Sequence, residues 1–173
     1  MKWVGILDAD QCVKNERIGT MKVQLGDIIL IPLSNGWNAI AKVIFAPIGD
    51  FKTTISFIIL YFSQNYKVDL GELRDKQALP LNKYGSIIYQ IFTGKHNIKN
   101  KLWPIVGNIG TTDEEDEYRI YQVAGALYHN ETEVRLLNDG EEENYTTLIG
   151  SGFGVVDNVL VDTVKIMLSN NKI

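Results

Sequence analysis

Two apolar runs joined by a tight turn decide the fold: Asp27-Ile-Ile-Leu-Ile-Pro-Leu33, then Ser34-Asn35-Gly36, then Trp37-Asn-Ala-Ile-Ala-Lys-Val-Ile-Phe45. Asn-Gly is the strongest short hairpin signal, and the flanking runs are rich in β-branched and aliphatic residues. In the second run, Trp37, Ala39, Ala41, Val43 and Phe45 would share one face of a strand. After a break at 46–50, residues 53–62 predict a third strand. The sequence therefore predicts an antiparallel meander, with Pro32 at a sheet edge or bulge.

The rest of the chain repeats this pattern up to its last twenty residues. Short strand-like segments occur at 86–92, 102–106, 118–123, 133–137 and 145–149, whereas residues 63–85 are polar and predict a long loop. Apolar residues between 156 and 168 recur every three or four positions, which indicates a helix that Asp157 would cap. We predict a mainly β (α+β) fold: a curled antiparallel sheet or small barrel with a C-terminal helix, in one domain over residues 1–173.

The charge is distributed unevenly along the chain. The 173 residues include 17 Lys and Arg against 21 Asp and Glu, for a net charge of −4. Residues 1–100 hold 12 basic and 8 acidic side chains, whereas residues 101–173 hold 5 and 13. Nucleic-acid binding requires clustered Lys and Arg, so we expect no nucleic-acid partner. The 45% apolar and 22% charged residues exclude a disordered or collagen-like chain.

Targeting and redox signals are sparse. The single cysteine, Cys12, excludes an intrachain disulfide and a cysteine-based zinc cluster. The apolar run at the N-terminus is too short for a signal-peptide core, and no run approaches the ~18 residues that span a bilayer. We therefore expect a cytoplasmic protein with no membrane partner.

Two sequence patterns are candidates for ligand sites. His129, Glu131 and Glu133 would share one face of a continuous strand and could bind a metal. However, Asn130-Glu131-Thr132 is typical of a turn, so we predict a solvated hairpin and no metal. The glycines of 150–154 resemble a dinucleotide loop, yet no second strand follows them, so we predict a strand-to-helix turn and no cofactor.

The acidic segment 113–143 is the strongest functional signal. It holds eleven acidic side chains and two arginines. Its two densest runs are Asp113, Glu114, Glu115, Asp116 and Glu117, and Glu141, Glu142 and Glu143. One interpretation is a set of solvated loops that keep the protein soluble. The other is an electronegative surface that steers a basic protein partner, because successive carboxylates repel one another and folding alone gives little reason to gather them.

Three segments carry a family resemblance. Gly26–Leu33, Gly36–Val43 and Leu102-Trp-Pro-Ile-Val-Gly107, with the strand 57–62 between them, resemble the immunity protein 26 family. The family-like motif residues are Gly26, Asp27, Ile31, Pro32, Leu33, Gly36, Trp103 and Gly107. Proteins of that family are small, bacterial and β-rich, and belong to polymorphic toxin systems. The resemblance implies a non-catalytic antitoxin, not an enzyme, that binds and neutralises a cognate toxin domain.

Two other functions remain open from the sequence. A small-ligand or peptide-binding β-module unrelated to toxins could place Trp37, Phe45, Tyr61 and Trp103 along one aromatic groove. A hydrolase that uses carboxylates alone could pair Asp27 with a glutamate. We expect the eight residues of the acidic runs to contact the partner if the protein is an antitoxin with an acidic binding face.

Overall fold

A computed structural model describes residues 22–172; Cys12 lies outside this range. Ten strands and three α-helices follow one another within these described residues. They are β1 (Asp27–Pro32), β2 (Asn38–Phe45), β3 (Thr54–Ser63), α1 (Leu70–Leu73), β4 (Leu81–Lys83), β5 (Ser86–Ile88), β6 (Ile91–Gly94), α2 (His96–Lys99), β7 (Ile105–Asn108), β8 (Ile120–Val123), β9 (Ala126–His129), β10 (Thr132–Leu136) and α3 (Phe153–Ser169). Two 3-10 helices, Glu114–Arg119 and Glu141–Asn144, carry the acidic runs. None of the helices in this range is both long and apolar enough to cross a membrane.

The predicted meander forms the centre of a five-stranded antiparallel sheet. Its strand order is β6-β3-β2-β1-β7, so β1, β2 and β3 are adjacent in space as in sequence. Gly36 takes a φ of 83° in the turn between β1 and β2, a backbone conformation that favours glycine. Pro32 is the last residue of β1 and lies beyond the part of β1 that pairs with β7. This position agrees with the prediction that Pro32 lies at an edge of the sheet. The mainly β, α+β prediction is confirmed, and the sheets remain open rather than closing into a barrel.

Both faces of this sheet are covered, which explains the continuous apolar runs of β1 and β2. Helix α3 packs on one face, against a cluster that includes Ile29, Ala41 and Ile59. On the other face Ile28 and Leu60 pack with Leu73 of α1. Every residue of β2 is buried. Strand β2 is therefore the most enclosed part of the sheet.

A second sheet, of order β10-β9-β8, packs on the first through aromatic rings. Phe45, Phe92 and Tyr121 form its core, with ring centroids of Phe45 and Tyr121 5.3 Å apart in an edge-to-face arrangement. The predicted common face of β2 holds for Ala39, Ala41 and Val43 but is wrong for Phe45. A register shift between Val43 and Phe45 directs this ring towards the second sheet.

Several predicted elements differ in the structure. The strand predicted at 86–92 is divided into β5 and β6. Between these two strands, the side chain of Gln90 donates hydrogen bonds to Ser56 Oγ and to the Tyr118 carbonyl. The segment 145–149 makes only an isolated bridge, from Thr147 to Gln122. The segment 63–85, predicted as a long loop, contains α1 and β4. Strand β9 was not predicted. These elements are three or four residues long, too short for a periodic signal.

The C-terminal helix is confirmed, but its predicted cap is wrong. Gly152 is the N-cap residue of α3, and Asp157 lies within the second turn. The Asp157 carboxylate instead accepts hydrogen bonds from Ser34 N at 2.9 Å and Ser34 Oγ at 2.6 Å. This contact joins the helix to the β1–β2 turn.

Two glycines allow a matched test of close packing. Gly26 has a φ of 81°, and a Cβ there would lie 2.5 Å from Gly110 Cα; Gly36 has nearly the same φ with nothing within 4 Å. Gly36→Ala should lower the free energy of unfolding by about 1–2 kcal/mol through backbone strain alone. Gly26→Ala should cost clearly more in urea unfolding, because the Gly110 backbone must also move. Equal losses would show that the Gly26 contact is unimportant.

Candidate functional site

The family-like motif residues lie in the framework of the sheet. Asp27 accepts hydrogen bonds from Gln24 N and Asn108 Nδ2, both at 2.8 Å, and so joins the start of β1 to the end of β7. Ile31 and Leu33 are buried in the main core. The remaining motif residues Gly26, Pro32, Gly36, Trp103 and Gly107 occupy turns, a strand end or close packing positions. Asp27 therefore stabilises the strand ends, and no glutamate accompanies it in these contacts.

The aromatic groove expected from four side chains does not form. Trp37 and Trp103 belong to the cluster under helix α3, Tyr61 to the cluster on the opposite face, and Phe45 to the aromatic cluster between the sheets. Trp103 packs edge-to-face on Phe57, with ring centroids 5.9 Å apart. These rings stabilise three separate packing regions.

The hairpin predicted at 129–133 is confirmed, with His129 paired to Thr132 and Asn130 at a φ of 55°. The turn sends the three candidate ligands to different partners. His129 Nε2 lies 2.9 Å from Asp116 Oδ2, whereas the Glu131 carboxylate accepts hydrogen bonds from Ile48 N and Gly49 N. Within residues 22–172 no three His, Cys, Asp or Glu side chains lie together as a metal site requires.

The first acidic run forms the 3-10 helix Glu114–Arg119, in which Glu115 points into the protein. Its Oε1 lies 2.7 Å from Lys42 Nζ, and its Oε2 accepts a hydrogen bond from Thr112 N at 2.9 Å. The Lys42 and Glu115 side chains are only 4% and 12% exposed. Glu115, one of the predicted contact residues, is therefore a structural residue.

Lys42 explains why the helix docks at this point. It lies on β2 between Ile28 of β1 and Ile58 of β3, so its ammonium emerges beside an aliphatic sheet face. Burying an ammonium without a partner is costly, whereas a paired ammonium can be accommodated. Glu115 supplies the compensating charge and holds the acidic helix against β2.

The other members of the first run divide into paired and unpaired groups. Asp116 contacts both His129 and Arg119, and the hydrogen bond from His129, with a smaller contribution from Arg119, holds the pKa of its carboxyl below the usual range. Asp113, Glu114 and Glu117 are exposed. None of these three has an ion-pair partner among residues 22–172. Hydrogen bonds from its own backbone and from the Thr112 side chain lower the pKa of the Glu114 carboxyl, but all three carboxylates lack a charged partner in this range.

The second acidic run divides in the same way. Glu141 receives hydrogen bonds from Arg135 Nη1 at 2.6 Å and from Asn138 N at 2.7 Å. These bonds, that from Arg135 first, lower the pKa of Glu141 to about 2. Glu142 and Glu143 have no ion-pair partner in the part of the chain that is described. The predicted contact set thus contains five unpaired carboxylates.

A groove of about 480 Å³ lies beside the end of the second acidic run and the start of α3. Glu143 lines it directly, and Gln90, another lining residue, donates a hydrogen bond to the Tyr118 carbonyl of the first acidic helix at 2.7 Å. No motif in the sequence indicates this groove. Its exposed aliphatic residues, Ile87 and Ile149, lie in segments predicted as ordinary strands, and nothing in their local pattern distinguishes an exposed isoleucine from a core one.

No family model, curated protein or solved structure matches the chain. The resemblance to the immunity protein 26 family therefore stays a prediction that depends on the motif residues themselves.

The buried ion pair gives a double-mutant test. Lys42→Met should lower the free energy of unfolding by about 3–5 kcal/mol, because Glu115 would remain buried without its partner. Lys42→Met combined with Glu115→Leu should recover most of this loss, since neither charge is then buried. Urea unfolding measures both variants, and Lys52→Met, at an exposed lysine, is the control. A Lys42→Met variant as stable as this control would contradict the anchoring role.

The Glu141 contact predicts a specific titration. Because its pKa in the folded protein is about 2, its contribution to stability is complete above the pKa of the unfolded chain and is lost as pH falls towards 2. NMR titration of the side-chain carboxyl carbon should show Glu141 still ionised at about pH 3.5. In Arg135→Gln the midpoint should move upward. An unchanged midpoint in that variant would show that Arg135 is not the cause.

Proposed function

We propose that the protein is a non-catalytic immunity protein that binds and neutralises a cognate bacterial toxin domain with a basic surface. The observation that carries this proposal is the set of five unpaired carboxylates: Asp113, Glu114, Glu117, Glu142 and Glu143. They make no ion pair within residues 22–172, so ion pairing within the fold gives no reason to gather them. A basic partner would gain both attraction and faster association from them.

The anchoring of the first acidic helix supports the same proposal. Glu115 fixes this helix to β2 through Lys42, and Asp116 fixes it to β9 through His129. Asp113, Glu114 and Glu117 are consequently carried on a backbone that is held in place, rather than on a free loop. A binding surface that is already ordered loses less conformational entropy on association.

The family resemblance supplies the class of partner. The motif residues that carry it lie in the framework of the sheet, whereas the unpaired carboxylates lie outside the matched segments. Such a division suits a family with a shared framework and partner-specific surfaces. The acidic surface would then be the part of this protein that selects its toxin.

A second candidate, a small-ligand or peptide-binding β-module, is favoured by the groove. Its volume of about 480 Å³ lies within the range of ligand pockets. This function would require no toxin partner. It would be supported if the purified protein retained a small molecule that mass spectrometry detects after denaturation.

Growth rescue tests the toxin-binding proposal. The partner to use is the C-terminal domain encoded by the adjacent open reading frame, expressed from an inducible promoter in a sensitive bacterial strain. Co-expression of the chain should restore growth, and the two purified proteins should elute together in size-exclusion chromatography. Absence of rescue together with absence of a complex would contradict the proposal.

Neutralising the unpaired carboxylates tests the acidic surface separately. Asp113→Asn/Glu114→Gln/Glu117→Gln should lower the association rate constant about tenfold at low salt and flatten its salt dependence. The control Asp50→Asn/Glu72→Gln/Asp75→Asn removes three exposed charges elsewhere. Surface plasmon resonance at two ionic strengths compares them. Identical salt slopes for the two triple variants would show that the acidic helix does not steer the partner.

A further inference from the structure

The turn between β1 and β2 is open to solvent. Ser34, Asn35 and Gly36 are all exposed, and Asn35-Gly36 is the single Asn-Gly pair of the sequence. Across the turn, Leu33 N donates a hydrogen bond to the Trp37 carbonyl at 2.8 Å, so the paired strands hold its two ends together. Asn35 therefore combines an exposed side-chain amide with a following residue that has no side chain.

The side chain of Asn35 is folded back over the turn. Its Oδ1 accepts a hydrogen bond from Trp37 N at 3.1 Å, which is the arrangement of an Asx turn. This bond turns the side-chain amide towards the peptides that follow Asn35. It also polarises the side-chain carbonyl, because the Trp37 N–H stabilises negative charge that develops on Oδ1. The amide carbon, Cγ, is consequently prepared for attack by a nucleophile.

The backbone nitrogen of Gly36 is the nucleophile that the chain supplies, since its attack on Asn35 Cγ closes a five-membered ring. Nothing lies within 4 Å of the position that a Gly36 Cβ would take, so the surroundings leave the approach open. Gly36 N donates a hydrogen bond to the Leu33 carbonyl at 3.1 Å, and this bond must open first. Because the turn is exposed, water replaces it at a small net cost.

We propose that Asn35 is a site of non-enzymatic deamidation. Gly36 N forms a bond to Asn35 Cγ and loses its proton to solvent, while the Cγ–Nδ2 bond breaks and Nδ2 leaves as ammonia with a proton from water. One water molecule then opens the resulting succinimide ring. The product carries a carboxylate at position 35, either as aspartate or as isoaspartate, which has one additional carbon in the main chain. The net reaction consumes one water and releases one ammonia.

The new carboxylate lies next to a contact that joins the turn to α3. Asp157 accepts hydrogen bonds from Ser34 N at 2.9 Å and from Ser34 Oγ at 2.6 Å. A second negative charge on the adjacent residue repels the Asp157 carboxylate. The additional main-chain carbon of isoaspartate also alters the length of the turn, on which the pairing of its flanking strands depends. Deamidation therefore loosens the turn from the helix.

Ageing of the complete chain at mildly alkaline pH measures the reaction directly. Peptide mapping by mass spectrometry follows the conversion of each asparagine with time. Asn65 is the internal control, because it is also exposed but is followed by Tyr66, whose side chain hinders the attack. Asn35 should convert at least about tenfold faster than Asn65. Equal rates at the two positions, or no conversion at position 35, would overturn the proposal.

Two substitutions test the attacking atom and the ring that it forms. Gly36→Ala should slow the conversion of Asn35 about tenfold, because a Cβ then crowds the attacking nitrogen. Asn35→Gln requires a six-membered ring and should stay unconverted over the same incubation. The same comparison in urea-unfolded chains, where the turn is absent, keeps the test valid if Gly36→Ala is unstable. Conversion at an unchanged rate in Gly36→Ala under both conditions would contradict attack by the nitrogen of residue 36.

Hydrogen exchange tests the consequence for the turn. Asn35→Asp places the charge of the product beside Asp157, whereas the matched control Asn65→Asp adds the same charge in another exposed segment. The Ser34 amide should exchange roughly tenfold faster in Asn35→Asp and at its original rate in the control. The isoaspartate fraction, isolated by anion-exchange chromatography, should show at least the same increase. Unchanged exchange of Ser34 in both Asn35→Asp and the isoaspartate fraction would contradict the loosening of the turn.

Discussion

The contact between Lys42 and Glu115 determines how the two differently charged parts of this chain fit together. Lys42 sits on the most enclosed strand, among aliphatic neighbours, and its ammonium must find a negative charge. Glu115 provides that charge from a run of five carboxylates. The pair attaches the acidic 3-10 helix to the sheet, and the unpaired carboxylates beside Glu115 are ordered as a consequence.

The covering of both sheet faces makes this attachment necessary. Helix α3 covers one face, and α1 with the segment around it covers the other. A polar group that starts on β2 therefore has no direct path to water and must be satisfied inside the protein. The second sheet then extends the structure through its aromatic cluster, and the groove forms where β6, the β4–β5 hairpin, the segment 143–151 and α3 meet.

The parts that were predictable from sequence are those with long periodic patterns. The meander follows from two apolar runs around Asn35-Gly36, and α3 follows from apolar residues that recur every three or four positions between 156 and 168. The inward turn of Glu115 was not predictable, because five successive acidic residues look alike until the position of Lys42 in space is known. The groove was also not predictable, since its lining residues Ile87 and Ile149 are more than sixty positions apart in the sequence.

Hydrogen–deuterium exchange on the chain with and without the toxin domain tests the central claim most directly, because it reports on every surface at once. The account predicts that binding slows exchange in residues 84–90, 113–119 and 141–149, which include the two acidic 3-10 helices and part of the groove lining. Residues 63–80, which contain neither an acidic run nor a residue that lines the groove, should exchange at the same rate in both samples. Protection confined to that segment or to β10, or no protection anywhere, would contradict the account.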